Sequence, residues 1–340
     1  MTTTRWIPGC LALFAFACGG GSDDGSLYTD DGALTLGDGI DSASTMDSTS
    51  TMDSGGTKLD SMVETTGMAT AGDGGEAKGC KAIDFLFVID NSGSMGDNQQ
   101  NLINSFPGFI QKIQETIAEV DSYHIMVVDT DEYWNDCTIE CNFFPFLCQF
   151  DGVDGCGGAP TVCDETLGGG VNFPLGEDAS NKYCGLTGGQ RYITPQEPFN
   201  LLPEKFTCIA SVGTDGDSSE QAMAAMTQAV GPALNGPGGC NTGFLRDDAV
   251  LVITVITDEE DNASPGTPEG WYQNIVAQKA GDGSGVVVLG LINDTDAVNP
   301  ICPVESGDPL KIRTFIDMFP NKIRGSVCEQ NYAPFFEQAV

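Results

Sequence analysis

Beyond about residue 80 the hydrophobic positions gather into short, unbroken runs. Phe85-Leu86-Phe87-Val88-Ile89 is aromatic or branched throughout and stops abruptly at Asp90, which predicts a strand buried on both faces, as in an open α/β sheet. Leu102, Phe106, Phe109, Ile110, Ile113 and Ile117 then recur at steps of three and four, predicting an amphipathic helix with its apolar face on the sheet. Pro107 should bend that helix or delay its regular part. Tyr123–Asp129 reads as a second strand, parallel to the first because a helix crosses over between them.

The pattern stops at about residue 131 and resumes near 206. Between lies an insertion holding Cys137, Cys141, Cys148, Cys156, Cys163, Cys184 and the apolar patch Phe143-Phe144-Pro145-Phe146-Leu147. A loop this long is functional or separately stapled. Zinc competes with disulfides for the clustered Cys, but two Cys-x-x-Cys units are missing and no His accompanies them, so disulfides are expected. Asp217-Ser218-Ser219-Glu220 has capping-box spacing and should open a helix through Ala222, Met223, Met226 and Val230. Strands at 249–257 and 285–291, a helix at 271–280 and a last helix at 332–340 complete the alternation. This predicts a doubly wound, mostly parallel sheet flanked by helices.

The first residues differ. One Arg leads into an apolar segment from Trp6 to Ala17, too short to span a bilayer, which reads as an export signal. Ala15-Phe16-Ala17-Cys18 before Gly19-Gly20-Gly21 resembles a bacterial lipobox, with Cys18 acylated and residues 1–18 forming signal and anchor. Ala15-Phe16-Ala17 also suits an ordinary signal peptidase; lipidation is preferred because Cys18 would otherwise be an exposed thiol. Residues 19–79 are Ser, Thr, Gly and Asp without periodicity, predicting a disordered acidic stalk of roughly 40 Å reach.

Composition narrows the partners. A formal charge of −35 over 340 residues repels phosphate backbones, which argues against nucleic acid, and it keeps an exported protein soluble. Of 13 Cys, setting aside Cys10 and Cys18 leaves eleven, an odd number. Cys208 with Cys240 and Cys80 with Cys328 are the expected pairs, although spacing cannot fix connectivity.

The candidate chemistry sits where the first strand ends. Asp90, Ser92 and Ser94 lie two apart, with Gly93 between them letting the backbone bend, so three oxygens can converge on one hard cation. Asp-x-Ser-x-Ser also suits an ordinary turn; a buried strand ahead of it favours the metal. Val212-Gly213-Thr214 precedes a helix, and the apolar run 252–257 ends in Asp258-Glu259-Glu260-Asp261. Together these loops resemble the metal-ion-dependent adhesion site of von Willebrand factor type A (vWA) domains, over roughly residues 80–340.

That resemblance implies a Rossmann-like vWA domain at 80–340, interrupted at about 131–206. It implies that Ser92, Ser94 and Thr214 touch Mg²⁺ (or Mn²⁺ or Ca²⁺) directly, that Asp90 and Asp258 act largely through water, and that one position stays open for an acidic side chain of a protein or other macromolecular ligand. Glu259, Glu260 and Asp261 depart from the pattern by crowding the second acid. The expected protein is lipid-anchored in the cell envelope, at the outer membrane or cell surface, and performs no chemical turnover. Two alternatives stand beside it. One is a binding module acting through the stapled insertion, with the metal only structural. The other is a Ser hydrolase, for which His124 is the sole His; about 15–20 Å should separate it from Ser92 at about 3.3 Å per residue.

Overall fold

The computed structural model describes residues 82–117, 122–132, 161–303 and 307–339. The expectations for the signal, Cys18, the stalk, Cys80 and insertion residues 133–160 lie outside the described residues.

Five strands form one sheet: β1 (Ala82–Ile89), β2 (Ser122–Val128), β3 (Val250–Ile256), β4 (Val286–Ile292) and β5 (Asn321–Ser326), ordered β2-β1-β3-β4-β5 and parallel at every pairing. Alternation sorts the central side chains onto two faces. Phe85, Phe87 and Ile89 pack on one side, under α1 (Gly96–Ile117), α2 (Leu202–Ala210) and α6 (Ala333–Ala339). Leu86 and Val88 pack on the other, under α3 (Ala222–Val230), α4 (Pro268–Ala277) and α5 (Leu310–Asp317). Buried on both sides, β1 reads as a continuous apolar run for that reason.

On the first face the rings of Phe106 and Phe206 meet edge to face at 4.7 Å, and Phe206 meets Phe87 at 5.0 Å. Such pairs add about 0.5–1.5 kcal/mol beyond the area they bury. The helix α1 begins at Gly96 and runs through Pro107, so the proline does not delay it. Its buried apolar residues Leu102, Phe106, Phe109, Ile110 and Ile113 are among those picked out by spacing; the side chain of Ile117 lies outside those described.

The strand β2 is a sheet edge, and the described part of the insertion covers it. Ile125 and Ile193 exchange backbone bonds of 2.9 and 2.8 Å, and Val171 N–H donates to the Val127 carbonyl at 2.8 Å. Pairing of this kind removes an exposed strand edge.

Three features correct the sequence reading. Cys208 bonds Cys184, Cys240 bonds Cys163 and Cys328 bonds Cys302, so neither Cys208–Cys240 nor Cys80–Cys328 forms. A disulfide requires Cα atoms about 4.4–6.8 Å apart, and the insertion brings Cys163 and Cys184 to that range, at 5.5 and 5.7 Å. The capping box does not form. Asp217 accepts from Ser219 N–H at 2.8 Å, Glu220 turns inward to Thr130, and α3 starts only at Ala222. Asp261 and Ser264, from the loop after β3, accept instead from Met223 and Ala224 N–H, each at 2.7 Å. Finally, β5 and α5 were not anticipated, and α2 takes in the last residues assigned to the insertion.

Candidate functional site

The strands β1 and β3 lie side by side in register, Ile89 opposite Ile256, and Asp90 N–H continues the ladder to the Ile256 carbonyl at 3.0 Å. The chain leaves β1 toward β2 on one side and later returns as β3 on the other. The crevice beyond their carboxyl ends is therefore the point where strand order reverses, the usual place for a ligand in an open α/β sheet.

Asp90 is wholly buried there. Its Oδ1 accepts from Ser92 N–H at 2.8 Å, its Oδ2 from the Thr257 hydroxyl at 2.6 Å, and its carbonyl from Gln99 Nε2 at 3.2 Å. The turn after it folds into a short 3₁₀ segment, Gly93–Met95, which carries Ser94 back beside Ser92. The two hydroxyls are 3.1 Å apart, and Ser94 Oγ donates to Asp258 Oδ1 at 3.0 Å. Two carboxylates and two hydroxyls from loops more than 160 residues apart in sequence thus form one continuous line.

Thr214 reaches the same rim by its backbone. Its carbonyl lies 3.7 Å from where a Cβ on Gly93 would stand, and Gly216 N–H donates to the Asn91 carbonyl at 2.8 Å. Its N–H and hydroxyl both donate to the Glu177 carbonyl, at 2.9 and 3.4 Å. Gly213 makes this approach possible: its φ is +89°, and a Cβ there would sit 2.7 Å from that same carbonyl. Four of the five expected ligands are hydrogen-bonded in one group, and the fifth borders it with its hydroxyl held by the insertion.

The acidic run after Asp258 divides by task. Glu259 Oε1 accepts from Ser94 at 3.4 Å and stays with the rim. Glu260 accepts from Lys311 N–H at 2.8 Å, while Asp261 is buried on the start of α3. The crowding expected at the second acid is therefore limited to Glu259.

A buried polar layer lies beneath. Thr130 Oγ1 donates to Asn91 Oδ1 at 3.0 Å and is also bonded to Glu220 Oε2. Asp131 Oδ2 accepts from Asn91 Nδ2 at 3.3 Å and from Asp217 N–H at 2.8 Å. Burial pushes the Asp90 carboxyl up to about 6, against the lowering effect of Thr257 and Ser92. Burial, followed by the charge of Asp90 and its acidic neighbours, pushes Glu220 up to about 10. Glu220 is thus a neutral acid at pH 7 and supplies the proton that the single Thr130 hydroxyl hydrogen cannot provide to both partners. Its capping-box spacing concealed this contact, which joins positions 90 residues apart.

The group is all oxygen, with two carboxylates and neutral hydroxyls, which suits a hard cation that keeps part of its water. Among the described residues no set of three or more His, Cys, Asp and Glu is placed to hold a metal, so any ion here depends on the hydroxyls.

His124 lies elsewhere. It pairs in register with Asp84, six residues before Asp90, roughly 20 Å away at about 3.3 Å per residue. Its Nδ1 is 2.7 Å from the Phe244 carbonyl, and burial holds it down at about 4.

No family model matches the chain, and no curated protein matches it. Among solved structures it is similar to proximal thread matrix protein 1 from the mussel byssus in two crystal forms, at 12% and 14% identity and a TM-score of 0.37. The match covers 76% of this chain and just under half of that protein, 47% and 48%. No helix among the described residues is long and apolar enough to cross a membrane, and the three disulfides fit an oxidising, exported setting.

Proposed function

We propose that this chain is an exported surface protein of the vWA type that holds a divalent ion at its sheet rim and binds a macromolecular ligand through it. The ion is Mg²⁺, with Mn²⁺ or Ca²⁺ able to take its place. Ser92, Ser94 and Thr214 bind it directly, Asp90 and Asp258 hold its water, and a carboxylate from a protein or other macromolecule fills the remaining position. Cys18 carries the lipid that anchors the chain in the envelope, at the outer membrane or cell surface. The rim has no imidazole within reach of Ser92 or Ser94, so its hydroxyls act as ligands rather than nucleophiles.

One observation carries this reading: the unbroken line Asp258–Ser94–Ser92, at 3.0 and 3.1 Å, beside the buried Asp90. The test is calorimetric titration of the intact chain with Mg²⁺ and Mn²⁺. One saturable ion, lost on Asp90→Ala, is the expected result; equal, weak binding by both proteins would refute it. A pull-down from envelope extract with and without EDTA then identifies the ligand.

A second reading gives ligand contact to the insertion, with the metal as a brace. It is favoured by Glu177, whose carbonyl takes both donors of Thr214. Ligand capture that persists in EDTA would select this second reading.

A further inference from the structure

The segment that delivers Thr214 to the rim also borders a second space. Residues 177–180 of the insertion and 211–214 are bonded at both ends: Thr214 N–H donates to the Glu177 carbonyl at 2.9 Å, and Ser180 N–H to the Ser211 carbonyl at 3.0 Å. At the Ser180–Ser211 end a cleft of about 450 Å³ opens between the insertion and α2, lined by Ser180, Lys182, Glu204, Thr207, Cys208 and Ser211 among others. Ligand clefts span about 300–1,000 Å³. Three residues carry the chain from Ser211 to Thr214, at most about 11 Å, so one extended ligand can reach from the rim into the cleft. The walls are fixed before anything binds. The disulfide Cys184–Cys208 joins the Lys182 side to α2, and Lys205 Nζ donates to the Cys184 and Gly185 carbonyls at 2.7 and 3.0 Å. Asn181 closes the loop between, accepting from Gly176 N–H at 2.8 Å and donating to the Gly176 carbonyl at 2.9 Å. Preorganised walls spare the cost of ordering on binding.

Charge names the occupant. Among the described residues every Arg is ion-paired, and every other Lys is bonded to a carboxylate or a carbonyl. The Lys182 ammonium has neither partner among the described residues, and the residue is exposed at the cleft. In a chain of formal charge −35, an unneutralised ammonium is where an anion meets least repulsion. Glu204 lines the same cleft, so the occupant must also offer a hydrogen-bond donor, as a peptide backbone does.

We propose that this cleft is the second anchor for the ligand, which is an acidic peptide segment: one carboxylate sits on the rim ion and another, a few residues along, on Lys182. The first anchor rests on the rim reading above, and the second does not. The insertion and the metal loops then read one ligand together, the ion by coordination and Lys182 by a charge-assisted hydrogen bond. Because the ammonium sits on a flexible stem, it tolerates some variation in the spacing of the two acids.

Fluorescence anisotropy of the intact chain with a labelled oligoglutamate of about ten residues, long enough at about 3.3 Å per residue to span both points, tests this. In Mg²⁺, wild type should bind it, and should bind an oligoglutamine of equal length at least about tenfold more weakly, since that peptide has no carboxylate for either anchor. Lys182→Glu, which turns an attraction into a repulsion, and Thr207→Trp, which fills the cleft, should each weaken oligoglutamate by about fivefold or more. Lys182→Arg should bind as wild type. Lys322→Glu makes the same charge change on β5, at the opposite edge of the sheet, and should have no effect. No binding of oligoglutamate, equal binding of oligoglutamine, unchanged affinity in Lys182→Glu or Thr207→Trp, or an equal loss in Lys322→Glu would each overturn the proposal. Should EDTA leave wild-type binding intact while Lys182→Glu and Thr207→Trp weaken it, the rim reading fails and the cleft stands.

Discussion

Replacing Thr257 with Val removes one hydroxyl and almost nothing else, because the two side chains have nearly the same shape. Thr257 is 2% exposed, and its hydroxyl is one of two groups holding the Asp90 carboxylate, at 2.6 Å, the other being Ser92 N–H at 2.8 Å. A hydrogen bond to a charged group is worth about 1.5–3 kcal/mol, and the acceptor here stays buried when the donor goes. Loss of an outer partner of a metal ligand weakens ion affinity about 10–100-fold, or about 1.4–2.8 kcal/mol at 1.4 per factor of ten. The two ranges are of the same size; because the bond is already formed without an ion, its loss should also lower the stability of the ion-free chain. Mg²⁺ calorimetry on wild type, Thr257→Val and Thr257→Ser reads the loss of affinity directly. Val should weaken binding by one to two orders of magnitude, and Ser, which keeps the hydroxyl, should stay within a few-fold of wild type. Equal affinity in all three would show that Asp90 is not oriented by Thr257.

Arg246→Met should cost about 3 kcal/mol at pH 8, a fall in Tm on the order of 10 °C, because the wholly buried Asp84 loses an Nε donor at 2.8 Å and an Nη2 donor at 2.6 Å and keeps the backbone N–H of residue 246 at 2.8 Å. Burial already holds Asp84 at about 6, above the ordinary value of about 3.9, and loss of the guanidinium raises it further. The cost should therefore be small at pH 4.5, where the carboxyl is protonated, and grow as pH rises through 6; equal losses in urea unfolding at pH 4.5 and 8 would contradict this. The double variant Cys163→Ser/Cys240→Ser opens a 77-residue separation and should lower stability by about 4.5 kcal/mol on the chain-entropy account, whereas a change below about 1 kcal/mol in denaturant unfolding would show that the insertion is held by other contacts. Cys18→Ser should move the protein from the membrane to the soluble fraction on cell fractionation, and unchanged partitioning would rule out the lipid.

Strands β2, β3 and β4 are legible, within one residue of the spans expected, because each is built on a buried apolar run. The opposite edge, β5, is not. In β5, Asn-Lys-Ile-Arg-Gly-Ser places Lys322 and Arg324 at a partly exposed border, which erases the apolar run that marks a strand. The helix α5 is eight residues long and mixes Lys311 and Arg313 among its apolar positions, too short for a period to show. The rim residues Asp90, Ser92, Ser94 and Asp258 could be picked out as neighbours because they follow the abrupt ends of such runs. Their supports could not, since Thr257 on Asp90, Glu177 on Thr214 and Glu220 on Thr130 are contacts across 167, 37 and 90 residues, with no local spacing to announce them. The capping box misled because the loop after β3 offered α3 better acceptors than its own approach did.

That substitution has a mechanical consequence. The segment bearing Asp258 also grips the first turn of α3 through Asp261 and Ser264, so the two are coupled like a handle and its shaft. Any pull on the rim that shifts this segment must either break the hydrogen bonds from Met223 and Ala224 N–H to these two side chains or carry the helix along. A load applied at the rim would in this way arrive at the face of the sheet that α3 covers.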